Sequence, residues 1–210
     1  MILKPPQQKR SRETLDRILD ATERLLQDKE FESISIAEIV LAAEASTGAF
    51  YARFPTKEAL LPALYERLTE QVRANRQIAS DPDIWGERTL EHRVHMIGER
   101  IVREMRAARH VMRPLALYAR RSPEAISPED RKVRGDIHRL AAAALLECRD
   151  EIGHPDPALA ADFVIYAMSA VARDKILFGD APHASSVSID DDTLARELIQ
   201  MSLAYLRNPK

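Results

Sequence analysis

The sequence predicts an all-α fold of about nine helices, because apolar residues recur at helical spacing along most of its 210 residues. Strong N-caps followed by proline mark helix starts at Asp81-Pro82, Ser127-Pro128 and Asp156-Pro157. No segment has the alternation of apolar and polar residues that is typical of strands. The length is enough for a small domain and a larger one, each with its own core.

The first two helices are defined by apolar stripes. In the first helix, which ends near Lys29, the stripe consists of Leu15, Ile18, Leu19, Leu25 and Leu26. The second helix begins behind Ser35, where Ser35 and Glu38 have the spacing of a capping box. Its stripe lies on one side only and consists of Ile36, Ile39, Val40 and Ala43. This helix is therefore expected to pack.

A tight turn at Glu44-Ala45 leads to a third helix, capped by Ser46 and running from about Thr47 to Arg53. Phe50 and Phe54 share one face of it, while small and polar residues occupy the rest. Two short helices joined in this way have the layout of a helix-turn-helix, the motif that places its second helix in the major groove of DNA.

The starts of the remaining helices are predicted from N-cap residues and apolar spacing. The fourth is expected to start at Thr56 and to carry Pro62 in its early turns. Later helices are expected at about 84–107, 110–120, 128–150, 157–178 and 190–206. The run 163–171 is apolar on every side, so its helix needs cover from its own domain and from something else. A second copy of the chain would supply that cover, and a monomer with a thick internal core is the alternative.

The stretch from Ser46 to Leu60, STGAFYARFPTKEAL, resembles the recognition-helix signature of the tetracycline-repressor (TetR) family of bacterial transcription regulators. Residues 12–21 and 31–36 resemble the first helix of that family and the entry to its second, so the resemblance covers about residues 10–61. Glu30 and Glu44 depart from it, because both stand where these proteins commonly have glycine. Glu44 would also bring a negative charge near the DNA-facing helix.

The resemblance implies an N-terminal three-helix DNA-binding domain at 1–56, with a basic arm, and a C-terminal helical effector-binding and dimerisation domain at 57–210. It implies a homodimeric regulator, most often a repressor, that binds a palindromic operator in double-stranded DNA and is released by a small molecule. In this family the last two helices pair with their copies. We expect the interface to include Phe163, Tyr166, Val171, Leu198, Met201 and Leu206.

The residues expected at the DNA lie in and around the second and third helices. Thr47 and Ala49 are the candidates for base contacts, since a threonine hydroxyl and small methyl groups suit base edges. Gly48 would allow close approach of the helix backbone to DNA or to another helix. Phosphate contacts are expected from Arg12, Ser35, Ser46, Tyr51, Arg53 and Lys57. The alternative is that Ser35 and Ser46 serve only as caps and that Tyr51 only packs.

A small, mostly hydrophobic effector is expected to bind between the helices of residues 58–178. Adaptable apolar side chains and hydroxyl groups there suit such a ligand, although core packing explains them as well. The candidates are Met105, Met112, Tyr118, Tyr166 and Met168.

Composition limits the other possibilities. The net charge is only −2, so DNA affinity must rest on local cations such as Lys4, Lys9, Arg10 and Arg12. Cys148 is the single cysteine, which excludes an intrachain disulfide and a cysteine-based zinc site. No apolar run is long enough to span a bilayer and no signal-peptide core is present, so a cytoplasmic protein is expected.

Two other classes of function stay open. A helical enzyme could use His92, His95 or His110 as acid and base, but no nucleophile or orienting carboxylate is identifiable beside them. The i, i+3 spacing of His92 and His95 could hold a metal only with a third ligand, so no metal or cofactor is predicted. A protein-interaction scaffold that keeps the helix-turn-helix without binding DNA is the other alternative.

Overall fold

The computed structural model describes residues 6–79, 85–125, 127–180 and 188–208, and its regular structure there is entirely helical, which confirms the all-α prediction. The α-helices are α1 (Pro6–Asp28), α2 (Ile36–Ala42), α3 (Thr47–Tyr51), α4 (Leu60–Ala79), α5 (Leu90–Ala107), α6 (Arg109–Arg121), α7 (Pro128–Leu146), α8 (Pro157–Phe178) and α9 (Asp191–Arg207). Single 3-10 turns lie at Phe31–Ser33, Pro123–Ala125 and Arg149–Glu151. Within this described part, no helix has both the length and the apolar character needed to cross a membrane.

The chain forms two compact units. The first unit contains Met1–Leu68 and His110–Ile126, and the second contains Thr69–Arg109 and Ser127–Lys210. The first unit therefore includes the start of α4 and nearly all of α6, in addition to the helix-turn-helix. A functional division at residues 56 and 57 stays a prediction.

The core of the first unit forms around Phe50, whose side chain is fully buried. Its ring packs against Phe54 at a centroid distance of 5.4 Å. Val111 and Leu115 of α6 are buried in the same core, which explains why α6 belongs to this unit although it comes late in the chain. Burial of these side chains removes apolar surface from water and fixes α3 on its support.

The second unit is built from α5, α7, α8 and α9, in which α5 packs on both α8 and α9 and α7 packs on α8. A close contact between two helices lies at Gly98 of α5, where an added β-carbon would lie 2.6 Å from Cγ1 of Ile199. The fully buried Met168 of α8 lies at the same contact. A glycine fits here because the Ile199 side chain of α9 occupies the space that a β-carbon would take.

Three predicted helix ends were wrong. Helix α4 begins at Leu60, because residues 57–59 form a turn in which the Leu60 and Leu61 amides bond to carbonyls three residues back. Helix α5 begins at Leu90 behind its Thr89 cap, not at residue 84, and α7 ends at Leu146. The predicted start signal Asp81-Pro82 lies outside the described residues.

Candidate nucleic-acid interface

The N-terminus of α2 carries the predicted capping box. The Ser35 hydroxyl oxygen accepts from the Glu38 amide at 3.2 Å, and the Ser35 amide donates to the Glu38 carboxylate at 2.8 Å. The Ser35 hydroxyl also donates to that carboxylate at 2.7 Å. Because the hydroxyl proton is already used, Ser35 serves as a cap, and a phosphate contact by its hydroxyl would require this bond to break.

Lys29 completes this polar cluster through an ion pair with Glu38. The hydrogen bond from Lys29 is the largest cause of the low pKa of Glu38, which is about 2. The two hydrogen bonds from Ser35 lower this pKa further. A carboxylate that accepts several hydrogen bonds is held in its charged form. The start of α2 is therefore fixed by a charged carboxylate.

The turn between α2 and α3 is a Schellman motif with Glu44 in the left-handed conformation. The φ angle of Glu44 is 49°, a region that glycine occupies more easily than other residues. The Ala45 amide bonds to the Val40 carbonyl at 2.9 Å, and the Glu44 amide bonds to the Leu41 carbonyl at 3.2 Å. The departure from glycine noted in the sequence thus falls on the residue whose backbone most favours glycine.

Two arginines of α1 hold this turn from the side. Arg24 donates to the Ala42 carbonyl at 3.1 Å, and Arg17 donates to the Glu44 carbonyl at 3.4 Å. Carbonyls at the end of a helix lack partners within the helix, so these bonds satisfy them. Neither arginine was predicted from the sequence, and the signal that could have found them was the non-glycine residue in the turn.

Helix α3 is anchored on one side and open on the other. Ser46 caps it by accepting from the Ala49 amide at 3.1 Å, as predicted. Phe50 is buried, whereas Thr47 and Gly48 are exposed and Ala49 is half-buried. The Tyr51 side chain is 52% exposed and touches the Phe50 ring edge to face. The open side is therefore small and polar except for one tyrosine.

Gly48 is not required by the packing of its own unit. A β-carbon at this position would meet nothing closer than the Ser46 Oγ at 3.9 Å, which is ordinary van der Waals contact. Of the two reasons considered for this glycine, close approach to another helix of the same unit is therefore not supported. Close approach to a molecule outside the chain remains.

The predicted cations have different surroundings. Arg12 is exposed on α1. Arg53 is half-buried and donates from Nη1 to the Ala49 carbonyl at 2.7 Å, which caps the end of α3. The Lys57 ammonium donates to three backbone carbonyls of residues 31–34. The predicted phosphate contact by Lys57 would therefore require these bonds to break.

The residues predicted for the dimer interface fall into two groups, one exposed and one buried. Phe163, Tyr166 and Val171 of α8 and Met201 of α9 are exposed, and Tyr166 is 61% exposed. Leu198 and Leu206 were wrongly assigned, because both face the interior of the second unit and are 4% and 0% exposed. Leu159 of α8 is exposed and was missed, since an all-round apolar helix does not reveal which side faces outward.

The predicted effector residues are not brought together within either unit. Met112 and Tyr118 lie in the first unit, where Tyr118 packs against the core. Met105, Tyr166 and Met168 lie in the second unit, where Met168 is fully buried and Tyr166 faces outward on the same helix. Tyr166 thus lies with the exposed apolar residues of α8, and its assignment to an effector pocket is not retained.

The histidines considered for catalysis or metal binding are His92, half-buried, and the exposed His95 on α5, with half-buried His110 on α6. Among the described residues, no group of three or more histidine, cysteine, aspartate or glutamate side chains is placed to hold a metal ion. Burial raises the pKa of the Cys148 thiol, which makes it a poor nucleophile near neutral pH.

Comparison with known proteins supports the same module. Residues 18–64 match the family model for bacterial regulatory proteins of the tetR family. A comparison with curated proteins gives no match.

Solved structures of similar fold span nearly the whole chain. A TetR transcription regulator from Haloarcula marismortui is 16% identical, with a TM-score of 0.63 over 92% of this chain and 96% of that chain. A bacterial regulatory protein in the tetR family from Rhodococcus RHA1 is 21% identical, with a TM-score of 0.60 over 94% and 98%. The fatty acid degradation regulator FadR from Bacillus halodurans is 18% identical, with a TM-score of 0.57 over 99% and 100%. At these identities the likeness establishes a shared fold.

Proposed function

We propose that this chain, whose N-terminal domain belongs to the tetR family of bacterial regulatory proteins, is a repressor that binds a palindromic operator as a homodimer and is released by a small molecule. The observation that carries the proposal is the open side of α3. There Thr47, Gly48 and Tyr51 are exposed while Phe50 fixes the helix to the core. This is the arrangement that a recognition helix needs in order to enter the major groove.

Each residue on the open side of α3 has a chemical role in the proposed complex. Thr47 offers a hydroxyl and a methyl group to base edges, and Ala49 offers a small methyl that suits a thymine methyl. Gly48 lets the helix backbone approach the DNA. Tyr51 and the exposed Arg12 contact phosphates, which set the register of the helix on the duplex.

The second copy is proposed to cover the exposed apolar side of α8. Leu159, Phe163, Tyr166 and Val171 of α8, with Met201 of α9, expose large apolar side chains within one unit. Several large apolar side chains exposed on neighbouring helices suit an interaction site. A two-fold dimer presents two recognition helices to a palindrome, whose half-sites are about 34–36 Å apart or a multiple of that spacing.

The effector is proposed to act by population shift. A compound that binds better to the dimer with misplaced recognition helices lowers DNA affinity by its differential binding energy. Met105 remains a candidate contact, because it is half-buried in the second unit and methionine adapts to apolar ligands. Compounds that raise the melting temperature are to be tested for their effect on DNA affinity. The effector role fails if every binding compound leaves DNA affinity unchanged.

The experiment that tests DNA recognition is selection from a pool of random duplexes by the purified chain and by its Thr47→Ala variant. We expect the wild type to enrich an inverted repeat and the variant to enrich a repeat with altered preference at one or two positions in each half-site. Protein refolded after denaturation is used in parallel, so that a bound effector cannot hide binding. Failure of refolded protein to enrich any sequence would contradict the proposal.

A further inference from the structure

The ammonium group of Lys57 is surrounded by backbone carbonyls of the segment that precedes α2. Its Nζ donates to the carbonyl oxygens of Phe31 at 2.9 Å, Glu32 at 3.0 Å and Ile34 at 2.9 Å. The same nitrogen lies 4.8 Å from the centroid of the Phe31 ring. These partners are 23 to 26 residues away along the chain, so the contacts are tertiary.

These three bonds use the full donor capacity of the side chain. A lysine ammonium has three N–H groups and no acceptor, and each one here has a carbonyl partner within ordinary hydrogen-bond distance. The carbonyls at the end of the 3-10 turn Phe31–Ser33 carry partial negative charge, which a cation stabilises. The face of the Phe31 ring attracts the same charge. Lys57 is thus held by several interactions that favour one position.

The location of this contact gives it consequences for DNA binding. The segment 31–34 leads directly into Ser35, the cap of α2. Lys57 follows α3 by six residues and precedes α4. The ammonium therefore joins the entry of the helix-turn-helix to its exit, and together with the core it fixes how α2 and α3 are presented.

We propose that Lys57 is a positioning residue for DNA binding, which acts through the carbonyls of residues 31–34 and does not contact phosphate. The proposal rests on the proposed function, because it assigns a role within the same DNA-binding module. The positioning role of Lys57 requires an ammonium group and not merely a positive charge. Three converging carbonyls suit the compact ammonium, whereas the planar guanidinium of arginine cannot reproduce that geometry.

The test compares Lys57→Met and Lys57→Arg with the wild type. The probe is the duplex enriched from the random pool by the wild type, and affinities are measured over a series of salt concentrations. The temperature is set where circular dichroism shows each variant to be folded. Lys132→Met, at an exposed lysine of α7 in the second unit, is the control for loss of one positive charge.

We expect both Lys57 variants to bind about tenfold more weakly or worse with an unchanged salt slope, since no phosphate contact is lost. The control is expected to bind as the wild type does. A slope reduced by about 0.9 in Lys57→Met and restored in Lys57→Arg would instead identify a direct phosphate contact. Wild-type affinity in folded Lys57→Met would reduce the lysine to a purely structural role. Either result overturns the proposal.

A measurement on the wild type keeps the proposal falsifiable if both variants fail to fold. Nitrogen-15 spectra of the lysine ammonium groups are recorded for the protein alone and bound to the selected duplex. We expect slowly exchanging Lys57 ammonium protons in both states, because the carbonyl bonds persist. A scalar coupling between Lys57 Nζ and a DNA phosphorus would overturn the proposal. A wild type that enriches no duplex is a separate result, which removes the proposed function and this role together.

Discussion

Arg17 of α1 donates a hydrogen bond from Nη1 to the backbone carbonyl of Glu44, the residue in the α2–α3 turn whose φ angle is 49°. A non-glycine residue in the left-handed region is strained by contact between its β-carbon and the following carbonyl. The arginine bond and the Schellman hydrogen bonds hold the turn in spite of this strain. The turn that orients α3 is therefore stabilised from α1 as well as by its own backbone.

Glu44→Gly is expected to stabilise the first unit by about 1 kcal/mol, because glycine adopts this conformation without the steric penalty. It is also expected to strengthen DNA binding, since a negative charge near α3 is removed. Glu44→Gln separates the two effects: it removes the charge and keeps the strain. Hydrogen exchange of the α2 amides measures the stability, and a Glu44→Gly variant less protected than the wild type would contradict the assignment.

Gly98→Ala is expected to destabilise the second unit by about 1–3 kcal/mol, because its β-carbon would overlap Cγ1 of Ile199 and force α5 and α9 apart. Gly135→Ala in α7 is the matched control, since its nearest neighbour is the flexible end of Arg139 at 3.3 Å. The control should be neutral or slightly stabilising. Urea denaturation followed by circular dichroism measures both, and equal stability of the two variants would show that the helix contact is looser than described.

Much of the helix-turn-helix could be predicted from sequence because its signals are local. The capping box of Ser35 and Glu38 and the Ser46 cap are encoded within four residues, and both are present. The start of α8 at Pro157 behind Asp156 is equally local and was also confirmed. In contrast, the start of α4 at Leu60 depends on backbone hydrogen bonds in the preceding turn, and no residue type in the sequence predicts these bonds.

The parts that could not be predicted depend on distant partners. Lys57 looks like a phosphate contact when only its neighbours in sequence are known, and its carbonyl partners lie more than twenty residues earlier. Leu198 and Met201 belong to one apolar stripe in sequence, yet the first is buried and the second is exposed. Only the packing of α5 against α9 decides which of them can meet a partner.

The stability of the first unit is expected to depend on the charge of Glu38. Its pKa is about 2 in the folded protein against an ordinary value of 4.5, so its carboxylate form stabilises the fold. That contribution is complete above pH 4.5 and is lost as the pH falls toward 2. Glu38→Gln is therefore expected to be less stable than the wild type at neutral pH and to lose this difference in acid.

Urea denaturation from neutral pH down to acid measures this difference between wild type and Glu38→Gln. Glu13→Gln, at an exposed glutamate of α1, is the control and is expected to match the wild type at neutral pH. A Glu38→Gln difference that stays constant through the acid range would mean that the carboxylate is not held by Lys29 and Ser35 as described.

Tyr166→Glu and Phe163→Glu are expected to convert the proposed dimer into monomers, because each places a charge in the exposed apolar side of α8 that a second copy is proposed to cover. Leu41→Glu is the control: Leu41 is 80% exposed but lies on α2 in the first unit. Sedimentation of the purified proteins measures the state of assembly. Dimers that persist in both α8 variants would place the interface elsewhere.

The most direct test of the central claim is the affinity of the wild type for the selected inverted repeat and for one isolated half-site, each at a low and a near-physiological salt concentration. We predict much tighter binding to the repeat and a loss of about a hundredfold or more as salt rises, because a dimer releases counterions from several phosphates. Equal affinity for repeat and half-site, or binding that does not depend on salt, would contradict a dimeric regulator that reads DNA through α3.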